Sequence, residues 1–452
     1  MKRRDFISTT VAGSSLVLGG TSLLSGCSTT EKKEQFKLKT NEELNLPPTL
    51  DRAPDGKPLR FGLIGCGGRG TGAALNLLAS GNDLSIVAIS DVLPDRMETC
   101  KKDLNTKGKQ NITDKNSFLG FEAYKKVLDS NIDAVIIALP SRFHPAMFEA
   151  AIAAGKHAFV EKPCAVDPPG ARRVMMTAKQ ADQKGLSVVC GTQRRHGKNY
   201  IETYRRVASG LIGEMVGGSC YWCIGYEWLI NRKPEWSDAE FAIRDWMYFP
   251  FMGGDYTVAN LIHNIDVISW FMGNQAPVSA MGFGAKIRPI LGNKYDFFAV
   301  DYVYGNSAHI GGYCRSIENC SRLIGEFMMG TKGKTNCADT IWDLEGNEIW
   351  KYPYKKNEKG EIIPEDHYVQ EHIDWVTSIR TNKPLNDAHN MARSTMISIM
   401  GRDSAYTGQT ITWDEIMTSN QELGPEITAL GKLDLPLDVP LPGVINSVYK
   451  PS

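Results

Sequence analysis

Residues 59–72 read Leu59-Arg60-Phe61-Gly62-Leu63-Ile64-Gly65-Cys66-Gly67-Gly68-Arg69-Gly70-Thr71-Gly72. Leu59, Phe61, Leu63 and Ile64 form a short apolar run with no polar stripe, the pattern of a strand buried on both faces. The run ends in a G-x-G-x-x-G, after which Ala73, Ala74, Leu75, Leu77 and Leu78 recur at helical spacing. Gly65 permits a tight turn, Gly67 lets the backbone approach a pyrophosphate, and Gly70 lets helix and strand pack closely. The helix behind them points unpaired N–H groups and its positive end at the phosphates, so Gly68 and Arg69 are expected at the cofactor too. A second apolar run, Leu84 to Ile89, ends at Asp91. A carboxylate there accepts hydrogen bonds from a ribose 2′-OH and repels a 2′-phosphate, which favours NAD over NADP. A dinucleotide site is the expectation.

The remaining composition narrows the class. Lys plus Arg and Asp plus Glu both number 51 in 452 residues, so no global basic field for nucleic acid exists. Lys2-Arg3-Arg4-Asp5-Phe6 carries a twin arginine, and the apolar stretch to Leu24 is diluted with Gly, Ser and Thr. Such a stretch suits an export signal better than a membrane-spanning helix. Leu24-Ser25-Gly26-Cys27 resembles a lipobox, so Cys27 is expected to carry a lipid anchor on a periplasmic protein exported through the twin-arginine route. Residues 28–57 are polar and proline-punctuated, a tether with an extended arm. The nine cysteines beyond Cys27 read as buried thiols. Cys220 and Cys223 fall on a strand where they face opposite sides, so no metal is expected.

Further along, apolar runs alternate with helical patterns up to residue 190, as in a doubly wound parallel sheet. The expected strands end at Gly65, Asp91, Pro140, Lys162 and Gly191, and ligands sit beyond such ends. After that come longer strands rich in Tyr, Phe, Val and Ile with few helices between the later ones. They predict an open, largely antiparallel sheet in an α+β second domain, 191–415, followed by a tail, 416–452. The Rossmann domain is thus expected over 58–190. A helix is expected at about 258–271, and others at 366–380 and 386–406. Arg194, Arg195 and Tyr226, with His196, Trp228, Trp236, Arg244 and Trp246, surround the expected crevice and suit a sugar ring, whose C–H faces stack on aromatics.

Gly65-x-Gly-x-x-Gly70, Ala138-Leu139-Pro140 with His144, Ala154-Gly155-Lys156-His157 leading to Glu161-Lys162-Pro163, and His263-Asn264-Ile265-Asp266 with Trp270 together resemble the glucose-fructose oxidoreductase and inositol dehydrogenase family. The resemblance implies a tightly bound NAD lined by Pro140, His144, Glu161, Lys162 and Gln193, a carbohydrate substrate, and a dimer or tetramer. It implies that Lys162 and His263 handle the proton of a substrate hydroxyl, with Asn260 close by. Family members place a carboxylate four residues before that histidine, where this chain has Ala259. Either His263 works with Lys162 alone, or Asp255, on the preceding loop, takes over, or the reaction differs from simple alcohol oxidation. Three activities fit: a sugar or glycoside dehydrogenase, forming for example a 3-keto-glycoside; a redox-neutral NAD-dependent glycosidase of the N-acetylgalactosaminidase kind; or a non-catalytic carbohydrate- or partner-binding lipoprotein.

Overall fold

The structure, a computed structural model, describes residues 36–444; the expected leader with Cys27 and residues 445–452 lie outside them. Six strands, β1 (Leu59–Ile64), β2 (Leu84–Asp91), β3 (Ser117–Leu119), β4 (Ala134–Ile137), β5 (His157–Val160) and β6 (Val188–Cys190), form a parallel sheet ordered β3-β2-β1-β4-β5-β6. The order reverses between β1 and β4, and there the ends of neighbouring crossovers part to leave a crevice. All four residues of β4 are buried, as helices on both faces of a parallel sheet require. Strand β3 falls inside a stretch that reads as a polar loop; at three half-exposed residues it is too short to show a period.

The second sheet has nine strands: β7 (Met215–Ile224), β8 (Ser279–Ala285), β9 (Phe297–Val303), β10 (His309–Ser316), β11 (Leu323–Gly330), β12 (Lys334–Thr335), β13 (Thr340–Trp342), β14 (Glu348–Lys351) and β15 (Ile411–Thr412). Their order is β14-β13-β12-β11-β7-β10-β9-β8-β15, antiparallel except for the parallel pair β7 and β10. Alternate residues such as Phe298, Val300, Tyr302 and Ile310 are buried on one face. That face packs on the helices Ile262–Phe271 and Ala388–Thr407.

Within the stretch expected to form the second domain, one helix crosses back. His367–Arg380 lies on the Rossmann helix Gly68–Ser80, and Trp375 meets Phe61 edge-on with ring centroids 5.3 Å apart. Its apolar residues Ile373, Trp375 and Val376 complete the core on that side of the parallel sheet. The arm also adheres to the body: Gln370 donates to the Leu50 carbonyl and Arg380 to that of Pro54.

His196 fastens this crossing. Its Nδ1 pairs with Asp374 at 2.8 Å and its Nε2 with Asp387 at 3.2 Å, all three largely buried. Burial opposes a charged imidazole, but the two carboxylates outweigh it and push His196 up to about 10. It is therefore protonated at neutral pH. The stability it contributes is complete below the ordinary histidine pKa of about 6.5 and declines as pH rises towards 10. His196→Gln leaves the two aspartates without their cation, and denaturant melts at pH 7 should show a loss of about 3–5 kcal/mol. A loss below about 1 kcal/mol would refute the ion triad.

Candidate active site

A cavity of about 910 Å³ opens at the carboxyl ends of β1, β2, β4 and β5 and extends to residues of the second sheet and its helices. Its first half is built by the glycine loop. Gly65 has φ +100°, and a Cβ there would come within 2.2 Å of the Ala138 carbonyl oxygen. A Cβ on Gly70 would lie 2.0 Å from the Gly65 oxygen, whereas at Gly68 it would meet only open space. The loop is thus folded against β4 on one side and bare toward the cavity on the other, a cradle that fits a pyrophosphate. Asp91 lines the same half. Its two oxygens accept the Cys66 amide at 2.6 Å and the Leu93 amide at 2.8 Å, so the carboxylate is held rigidly against the loop. Arg69 forms ion pairs with Glu161 and, at 3.2 Å, with Glu371, and lies over the Tyr368 ring.

Lys162 follows β5 and precedes a cis peptide to Pro163. Its ammonium donates to the Ala259 carbonyl at 2.7 Å. Burial pushes its pKa below the usual lysine range; Glu161 and Glu227 oppose that shift, and Arg69 and Arg194 add to it. The expected helix at 258–271 begins as a π-helical turn, Thr257–Leu261, which continues into the α-helix Ile262–Phe271. Such turns recur at functional sites because they re-aim side chains and carbonyls. This one presents the Ala259 carbonyl to Lys162 and places Asn260 and His263 at the cavity wall.

His263 stacks on Trp222, ring centroids 5.3 Å apart and planes 21° apart. Its Nδ1 is buried and has no hydrogen-bond partner among the described residues. Burial, reinforced by the charges of Lys162, Arg194 and Arg69, drives its pKa well below the ordinary value. His263 is therefore a neutral imidazole at pH 7. It offers one donor and one acceptor rather than a positive charge.

Of the expected site residues, Gly65, Gly67, Gly68, Arg69, Gly70, Asp91, Pro140, Glu161, Lys162, Asn260 and His263 line this cavity. Six others do not. His144 is buried beneath it, its Nδ1 2.7 Å from the Pro163 carbonyl, and its Nε2 accepts the Leu139 amide. It shapes two loops and touches no cofactor space. Gln193 stands behind Tyr368, donating to its hydroxyl. Arg194 is held by Glu326 with its guanidinium over the Trp222 ring, and Arg195 is held by Asp266 at 2.7 Å. Asp255 is buried, accepting the Tyr295 amide at 2.9 Å and the Tyr406 hydroxyl, so it cannot supply the acid absent at Ala259. Tyr226 is exposed, beneath Arg288.

Three groups of lining residues were not foreseen. Glu227, on the loop after β7, accepts Asn260 Nδ2 at 2.8 Å. Arg96 joins Asp91 at the cofactor end, and Glu426, Ile427 and Thr428 return from the expected tail to close the wall. Of the aromatics expected round the crevice, Trp228 and Trp246, 5.6 Å apart, do line the cavity, at its reaction end.

Residues 59–190 match a family model described as "Oxidoreductase family, NAD-binding Rossmann fold". The chain is 25% identical over 236 residues to an inositol 2-dehydrogenase/D-chiro-inositol 3-dehydrogenase of Halalkalibacterium halodurans, covering 52% of this chain and 58% of that one. It is 26% identical over 260 residues to glycosyl hydrolase family 109 protein 2 of Shewanella sp., covering 56% and 53%. The chain spans about half the length of the curated relatives it matches. Among solved structures, an aldose-aldose oxidoreductase from Caulobacter crescentus superposes with a TM-score of 0.61 at 16% identity, over 79% of this chain and all of that one. A scyllo-inositol dehydrogenase from Lactobacillus casei gives 0.59 at 21%, over 79% and 99%. These structures share the two-sheet fold.

Proposed function

We propose, for a chain whose residues 59–190 match a model of an oxidoreductase family with an NAD-binding Rossmann fold, that it is an NAD-dependent oxidoreductase acting on a CH–OH group of a carbohydrate or polyol. One observation carries the reading: the cavity that begins at the glycine cradle ends at Lys162 and His263. A bound nicotinamide supplies the two-electron acceptor for a carbinol C–H whose carbon becomes a carbonyl. Lys162 accepts the hydroxyl proton at Nζ, a task that its lowered pKa favours. Neutral His263 orients the same oxygen through a hydrogen bond, and Trp228 and Trp246 offer faces for the ring carbons.

The test uses protein lacking residues 1–27, with myo-inositol and a panel of glycosides. Lasting absorbance in the reduced-nicotinamide band and a keto product are expected, with NAD taken up in preference to NADP because Asp91, at the end of β2 in the cavity wall, would repel a 2′-phosphate. No reduction by any polyol or sugar would defeat the reading. The similarity to glycosyl hydrolase family 109 proteins in two Shewanella species favours a second one, a glycosidase using the same bound dinucleotide. Release of the aglycone without net reduction would select it.

We further infer a homo-oligomer. The outer face of the second sheet exposes Met281, Phe283, Tyr313, Leu323 and Met329, an apolar surface that a second copy can cover. Light scattering that returns a monomer would overturn this.

A further inference from the structure

Position 259 leaves the site without the acid that the family resemblance predicts, and Asp255 does not reach the cavity. We propose that Glu227 is the carboxylate of this site, a positioning residue that acts through Lys162 and governs when its amine is free to take a proton. The proposal rests on the reading of Lys162 as the proton acceptor.

The geometry is local. Lys162 Nζ is anchored on the carbonyl of Ala259, and Glu227 on the side-chain amide of Asn260, the next residue of the same π-helical turn. One turn of backbone therefore holds the ammonium and the carboxylate at one wall of the cavity. Around Lys162 stand Glu161, Glu227, Arg69, Arg194 and neutral His263. Glu161 is already paired with Arg69, which also holds Glu371. Among the described residues no cation forms an ion pair with Glu227. Glu227 in turn faces Lys162, Lys294 and the phenols of Tyr248 and Tyr256. Lys294 is spoken for in another way, buried 4.5 and 4.7 Å from the centres of those two rings.

A carboxylate beside an amine favours the ammonium form, while burial and the two arginines favour the neutral one. Glu227 thus opposes the lowering of the Lys162 pKa and favours the ammonium that donates to the Ala259 carbonyl. A substrate hydroxyl that engages Glu227 or Asn260 weakens that hold, so the ammonium gives up its proton to solvent through the cavity and the neutral amine then takes the hydroxyl proton. Delivered on a loop rather than on the helix, the acid can move with the substrate.

The test needs no substrate, so it stands apart from the functional assay. The charge state of Lys162 is followed by NMR titration of protein carrying ¹³C-labelled lysine, the resonance identified by its loss in Lys162→Arg. In Glu227→Gln, which keeps the shape of the side chain and its link to Asn260, the midpoint should fall by about one pH unit. In Glu227→Asp, which keeps the charge, it should stay within a few tenths of the wild-type value. Equal midpoints in wild type and Glu227→Gln would overturn the proposal. Equal shifts in both variants would overturn it too, because loop displacement rather than charge would then be the cause. If the titration behaves as expected while no sugar reduces the nucleotide, Glu227 stands and the proposed reaction falls.

Discussion

Lys162→Met lowers the rate of nucleotide reduction by substrate by about 10²–10⁴-fold and leaves the dinucleotide bound. The magnitude is what a positioned acid–base group contributes. Methionine keeps the apolar stem of lysine out to the Cε position, so it fills most of the same space after β5 while removing the donor to Ala259 and the proton acceptor. Nothing in the glycine cradle or at Asp91 depends on that nitrogen, which is why binding should survive. Stopped-flow absorbance in the reduced-nicotinamide band gives the rate, and nucleotide content after gel filtration gives the binding. The remaining activity should also lose the rise with pH that deprotonation of a buried lysine imposes, because Lys162 is active only in its neutral form. Wild-type rates in this variant would remove Lys162 from the chemistry and leave His263 to be examined alone.

Much of this arrangement was legible in the chain because it depends on local rules. An apolar run, three glycines and a helical repeat of apolar residues specify a cradle without reference to distant residues, and strands rich in Tyr, Phe, Val and Ile with few helices between them announce a largely antiparallel sheet. What escaped depends on partners far away in sequence. Arg194 and Arg195 follow a strand end and look available for hydroxyls, yet their charges are taken by Glu326 and Asp266, 132 and 71 residues on. Asp255 looks available too, until Tyr295 and Tyr406 fold over it. An aperiodic loop gives no signal for the direction of a side chain, so Glu227 was invisible. The return of residues 426–428 to the cavity wall was equally hidden, since an extended, proline-bearing segment has no face to read. Charged residues were located correctly along the chain, but only the fold decides which keep their charge for a ligand.

The glycine cradle allows a sharper separation of fold from binding. Gly70→Ala places a methyl 2.0 Å from the Gly65 carbonyl, and neither side can yield freely. Gly65 already holds φ +100° and has the Ala138 carbonyl at its back, so a shift of its peptide runs into β4. The variant should be strained before any nucleotide arrives. Strain of this kind costs about 1–3 kcal/mol, enough to lower the thermal midpoint of the nucleotide-free protein by several degrees. The same displacement moves the N–H groups that face the pyrophosphate, and a similar energy lost from binding corresponds to about 5–150-fold in affinity. Gly68→Ala differs in kind. Its methyl enters open space on the cavity side, so the nucleotide-free protein should melt as wild type does. Only the bound phosphates would meet that methyl, and affinity should fall by itself. Calorimetric melts with and without NAD, run on both variants, separate the two effects. If Gly68→Ala binds NAD as tightly as wild type, the open face of the loop is not where the pyrophosphate lies, and the cradle must be assigned elsewhere in the cavity.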